Sequence, residues 1–138
     1  MFTKKRKNAI LSKYGKMPTE HYEDEDLYNI RSYFDHRHEK ERNVFSLDET
    51  TWYDLSMDTL FERICNTNSA SGEQLLYYQL RCPAVTREEY QKRYALIRIM
   101  EEEQELRQKI QLILARLGKS NAARTIEAFS PSNHKKNM

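Results

Sequence analysis

The chain has 138 residues, 32% of them charged and 38% hydrophobic, and a formal charge of +2. That length allows one domain with its own core, and the near-neutral balance excludes the class that holds nucleic acid by overall charge alone. With three glycines and three prolines, long stretches contain nothing to break a helix, so an all-α fold is expected, an irregular bundle of about five to six helices.

Residues 1–42 read as a basic arm followed by an amphipathic helix. Up to Lys16 there are six Lys/Arg and no acid, and from Met17 to Glu49 ten acids face four bases. Residues 3–14 form either a short basic helix, stopped by Gly15 before Pro18, or an arm. From Asp24 to about Arg37, Leu27, Ile30, Tyr33 and Phe34 recur at helical spacing, with acids at the positive N-terminal end. Val44, Phe45 and Leu47 then suggest an extended connector whose apolar side chains pack on a neighbour.

Asp48 to Leu55 suggests a short helix or turn anchored by Trp52. Ser56 is placed to cap a helix from Met57 to about Asn66, with Leu60, Phe61 and Ile64 as its stripe. Asn66 to Ser71 satisfies its own backbone locally and should act as a hinge. The next helix runs to about Arg81 with Leu75, Leu76, Tyr78 and Leu80 on a broad apolar face, stopped by Pro83, and the two helices should form a hairpin. Thr86 and Glu89 have capping-box spacing and open a helix bearing Tyr90, Tyr94, Ile97 and Met100. Because Ile110 falls about 200° around the helix from Tyr90, a break is expected within Glu101 to Glu105. Gly118 is placed as a left-handed cap, Ser120 starts a last helix with Ala122, Ala123, Ile126 and Phe129, and residues 131–138 form a disordered tail.

Cys65 and Cys82 lack ligand spacing and are expected to be reduced and partly buried. No apolar run approaches the roughly 18 residues that span a bilayer, so a cytoplasmic chain without a membrane partner is expected. His36 and His38 lie two residues apart and so point to different helix faces, a poor geometry for one metal ion. Lys4, Lys5, Arg6 and Lys7 are candidate nucleic-acid contacts, through phosphate neutralisation, against the simpler reading of a solvated arm. Tyr77, Tyr78, Tyr90 and Tyr94 could stack single-stranded bases, although packing is the more ordinary use. The chain has no GxxxxGK[ST] loop, GxSxG, HExxH or Cys/His nucleophile arrangement, so no catalysis and no bound cofactor are expected from it.

The block Trp52 to Pro83, with Asp58, Thr67, Ser69, Gly72, Leu76, Leu80 and Pro83, resembles the start of the core or lever domain of MutS-type DNA mismatch-repair ATPases. The resemblance spans about Asn43 to Phe129, and the lead-in with Trp52 and Asp58 is similar to divergent bacterial members that lack the mismatch-reading domain. It implies that residues 43–130 are the first part of a helical lever coupling DNA engagement to an ATPase domain of the same polypeptide. ATP and Mg would then bind only in that absent domain, DNA would be the partner of the full-length parent, and a homodimer is possible. The rival expectation is a helical protein-interaction or adaptor domain with no DNA role.

Overall fold

The fold is described for residues 1–119 from a computed structural model. Seven helices follow one another, with no strand among the described residues: α1 (Lys4–Leu11), α2 (Asp24–Lys40), α3 (Glu49–Asp54), α4 (Met57–Ile64), α5 (Ala70–Arg81), α6 (Arg87–Glu102) and α7 (Gln104–Leu117). The architecture is an all-α irregular bundle. It has more helices than the expected five to six, because the basic arm and the Trp52 segment both close as helices and α6 and α7 are separate. The helix expected from Ser120, and the tail after it, lie outside the described residues.

Local side-chain chemistry sets most helix starts. The Thr3 hydroxyl accepts the Arg6 amide of α1 at 3.2 Å, Asp48 accepts the Thr51 amide of α3 at 2.7 Å, and Ser69 accepts the Gly72 amide of α5 at 3.0 Å. Glu23 with Asp26, and Thr86 with Glu89, form reciprocal capping boxes at α2 and α6. Each such cap satisfies a helix-end donor and is worth about 1 kcal/mol. The expected break falls at Glu103, whose φ of −96° and ψ of 76° leave the helical region between α6 and α7.

The core forms where α5 packs along α2, with α3 and α4 closing one side. Ile30 and Phe34 of α2, four residues apart, meet Trp52, Phe61, Tyr77 and Tyr78, and Tyr22 and Cys65 complete the cluster. Residues from the N-terminal segment 1–42 therefore share one core with the Trp52 to Pro83 block. Rings dominate it: Trp52 and Tyr77 have centroids 4.7 Å apart, and Phe61 meets Tyr77 edge-on at 5.8 Å.

Several sequence expectations require correction. Of the connector residues only Leu47 packs inward, its backbone N–H donating to the Arg81 carbonyl at 2.8 Å, while Val44 and Phe45 are exposed. On α4 the buried residues are Met57 and Phe61, continued by Cys65, and Leu60 and Ile64 face outward. Ser56 does precede α4, but its left-handed backbone (φ 52°) keeps its side chain from capping the helix. On α5 Leu75 is exposed, while Glu73, Gln74 and Arg81 are buried. That face meets α2 more than α4, so the simple α4–α5 hairpin is not the dominant packing. Gly118 has positive φ (69°) with an extended ψ of −173°, not the left-handed helical cap. The two cysteines are free and buried, Cys65 completely and Cys82 nearly so.

Candidate functional site

The Trp52 block forms one wall of a cleft of about 690 Å³ between α2 and the α3–α4 corner. The left-handed Ser56 turns the chain sharply there, which brings Asp58 back to the indole: Trp52 Nε1 donates to Asp58 Oδ1 at 2.9 Å. Leu76 and Leu80 pack against the core from the other side of α5, and Pro83 is half-buried beyond its end.

Beneath the cleft lies an ionic cluster drawn from three helices. Arg81 is 3% exposed, and its guanidinium is clamped between Phe34 (4.3 Å to the ring centroid) and Trp52 (5.1 Å). Its Nη2 donates to Glu49 Oε1 at 2.9 Å, and Arg31 donates to both oxygens of the same carboxylate. Burial alone would raise the Glu49 pKa, but the bonds from Arg81 and Arg31 outweigh it and hold the carboxyl below its ordinary range. Arg81 Nε and Nη1 have no hydrogen-bond partner, so the aromatic faces compensate part of the guanidinium's desolvation. Burial also pushes the Tyr77 and Tyr78 hydroxyls up to about 12, which keeps both protonated at neutral pH.

The hinge expected at Asn66 to Ser71 is a junction of four chain segments. Asn66 Nδ2 donates to the carbonyls of Lys13 (2.6 Å) and Lys16 (3.1 Å), fixing the chain after α1. The Ala70 amide donates to the Gly118 carbonyl at 2.9 Å, fixing the end of α7. Lys119 Nζ then reaches Glu20 at 2.5 Å and the fully buried Glu73 at 3.9 Å. Gly72 is required by space: a Cβ there would lie 3.0 Å from Thr67 Cβ and 3.2 Å from the Ser69 hydroxyl. Tyr22 also enters, donating to Cys65 Sγ at 3.3 Å, and burial followed by that bond raises its pKa.

Lys4, Lys5, Arg6 and Lys7 form the first turn of α1, with no acid among them. Cations at the positive end of a helix are unfavourable until an anion meets them. Arg6 lies over the Phe2 ring at 5.0 Å and, with Lys13 and Lys119, borders a second cleft of about 430 Å³. Of the basic run only Arg6 lines this second cleft, together with Asn68 of the Trp52 to Pro83 block, and none of the run lines the first. The four tyrosines split likewise: Tyr77 and Tyr78 are core residues, while Tyr90 and Tyr94 stack on each other on the open face of α6. His38 stacks on Phe34, and no group of three or more metal-ligating side chains gathers among the described residues.

Sequence reasoning missed Arg31, Glu49, Arg81, Glu73 and Lys119. The one local signal was that Arg81 falls four residues after Tyr77, on the same helical face. Comparison of the chain with protein-family models, curated proteins and solved structures finds no match.

Proposed function

We propose that this chain is a non-catalytic helical lever segment of a MutS-like DNA-dependent ATPase, coupling DNA engagement to nucleotide hydrolysis elsewhere in the same polypeptide. The observation that carries this reading is the junction at Cys65 to Gly72. The residues that carry the resemblance there, Thr67, Ser69 and Gly72, sit where the chain after α1, the end of α4, the start of α5 and the end of α7 are tied together. A rotation at this point must be shared by all four segments, which is what a lever requires. In this reading ATP and Mg bind outside the chain, and the Lys4–Lys7 turn of α1 contacts phosphate.

A second reading, a helical protein-interaction domain with no DNA role, is favoured by α6, whose Tyr90, Tyr94, Leu96 and Ile97 are all exposed. Sequencing the natural reading frame through its stop codon, and assaying its product for ATP hydrolysis with and without duplex or branched DNA, separates the two. The lever reading expects a GxxxxGK[ST] loop downstream and hydrolysis stimulated by DNA in a salt-dependent manner. A frame that ends at Met138, or a product that hydrolyses no ATP, sinks it and leaves the interaction domain.

A further inference from the structure

We infer that the cleft between α2 and the α3–α4 corner is a binding site for an arginine side chain presented by a partner polypeptide. Its volume of about 690 Å³ lies within the range of ligand pockets and accommodates more than one side chain. The lining carries four carboxylates, Asp24, Glu49, Asp54 and Asp58, against one cation, Arg31; Glu49 already serves Arg31 and Arg81, and Asp58 accepts from Trp52, so Asp24 and Asp54 are the pair that faces a ligand. Anions are repelled by such a lining, and an organic cation is drawn in.

Aromatic walls narrow the choice. Tyr28 from α2 and Tyr53 from α3 both line the cleft and are 73% and 83% exposed, although Trp52 and Tyr77 beside them are buried. The fold shows what this combination accepts. Arg81 is held by the Phe34 and Trp52 rings with Glu49, and Arg37 lies 4.4 Å over the Tyr78 ring while bonding Glu41. The cleft brings the same two residue types, exposed tyrosines and carboxylates, into one lining. A planar guanidinium satisfies both at once, stacking on a tyrosine while it forks onto a carboxylate, and a compact ammonium does so less well. This inference is independent of the lever assignment.

The test is a ¹⁵N–¹H NMR titration of the whole chain, with the fluorescence of its single tryptophan, Trp52, followed in parallel. The probes are the capped peptide Gly-Arg-Gly-Arg-Gly, its lysine counterpart, spermidine, and KCl at matched ionic strength. Saturable shifts of the Tyr28, Tyr53 and Asp54 amides are expected with the arginine peptide, at about fivefold lower concentration than with the lysine peptide. Tyr53→Ala and Asp54→Asn, both at exposed positions, should each weaken that response about fivefold while the remaining spectrum stays folded. An equal response to spermidine and the arginine peptide would show a diffuse counterion effect and overturn the proposal. So would shifts centred elsewhere, unaltered affinity in both variants, or no saturable shift.

Discussion

Replacing Gly72 by alanine sets two opposed effects against each other at the junction. Alanine favours a helix over glycine by up to about 1 kcal/mol. The new methyl, however, would meet Thr67 Cβ at 3.0 Å, Ser69 Oγ at 3.2 Å and Thr67 Cγ2 at 3.3 Å. The first of these is an atom fixed to the backbone and cannot swing away. The second is the hydroxyl that caps α5 through the Gly72 amide. Overpacking of this kind costs about 1–3 kcal/mol, and a displaced cap about 1 kcal/mol more. Steric cost wins, and Gly72→Ala should destabilise the chain by about 1–3 kcal/mol, lowering Tm by roughly 3–12 °C. In a Thr67→Gly background both Thr67 contacts disappear while the Ser69 contact remains, so the helix gain and the cap cost offset and the same Gly72→Ala change should become about neutral. Urea and thermal unfolding of the four proteins, followed by circular dichroism, gives the coupling energy, expected near 2 kcal/mol. A Gly72→Ala protein more stable than its parent, or an equal effect in both backgrounds, would refute the steric reasoning.

Arg81→Ala should cost about 2–4 kcal/mol because it opens a void between Phe34 and Trp52, whereas Arg81→Met, which fills it, should stay within about 1 kcal/mol of the parent. Equal losses in urea unfolding would show that the charge, not the volume, matters. Glu41 is held below the ordinary carboxylate value of 4.5 by its Arg37 bond, and Glu49 by Arg81 and Arg31 against its burial. Their contribution is therefore present above about pH 4.5 and lost as pH falls through the folded values, and Tm should drop on acidification. His21 behaves oppositely: its bond to Glu62 raises its pKa above 6.5, so its contribution is full below that pH and fades as pH rises through the folded value. His21→Gln should remove that slope from a Tm profile between pH 6 and 8. Finally, Cys65 and Cys82 are buried, and burial raises the Cys82 pKa, so Ellman's reagent at pH 8 should label neither thiol before unfolding and both after it.

What the sequence made legible was local chemistry. Ser69, Thr86 and Glu89 act on amides three or four residues from themselves, and the break at Glu103 follows from the change in phase of the apolar side chains. The ionic cluster was not legible, because Glu49 and Arg81 are 32 residues apart and meet only after α5 docks on α2. Leu60, Ile64 and Leu75 were assigned to packed faces since they are apolar, but each helix finds neighbours on only part of its circumference. Glu73 and Arg81 are buried in their place, each close to an opposite charge supplied by a distant segment. The Lys4 to Lys7 turn was recognisable as basic, whereas its distance from the Trp52 cleft was set by tertiary packing. Likewise, the cleft itself depends on the left-handed Ser56, a conformation that nothing about a serine before Met57 announces.

The bond from the Ala70 amide to the Gly118 carbonyl closes α5, α6 and α7 into a ring with a narrow neck. Tension applied at Lys119 would pass across that neck into Ser69 and Ala70, and through the lysine's ion pairs into Glu20 and Glu73, leaving α6 unloaded while α5 stays held against α2. In a force experiment the neck should therefore part first, and only then would the remaining length of the ring be released. The part of the ring that buries no residue, α6 and α7, would behave as stored length beside the fixed α5.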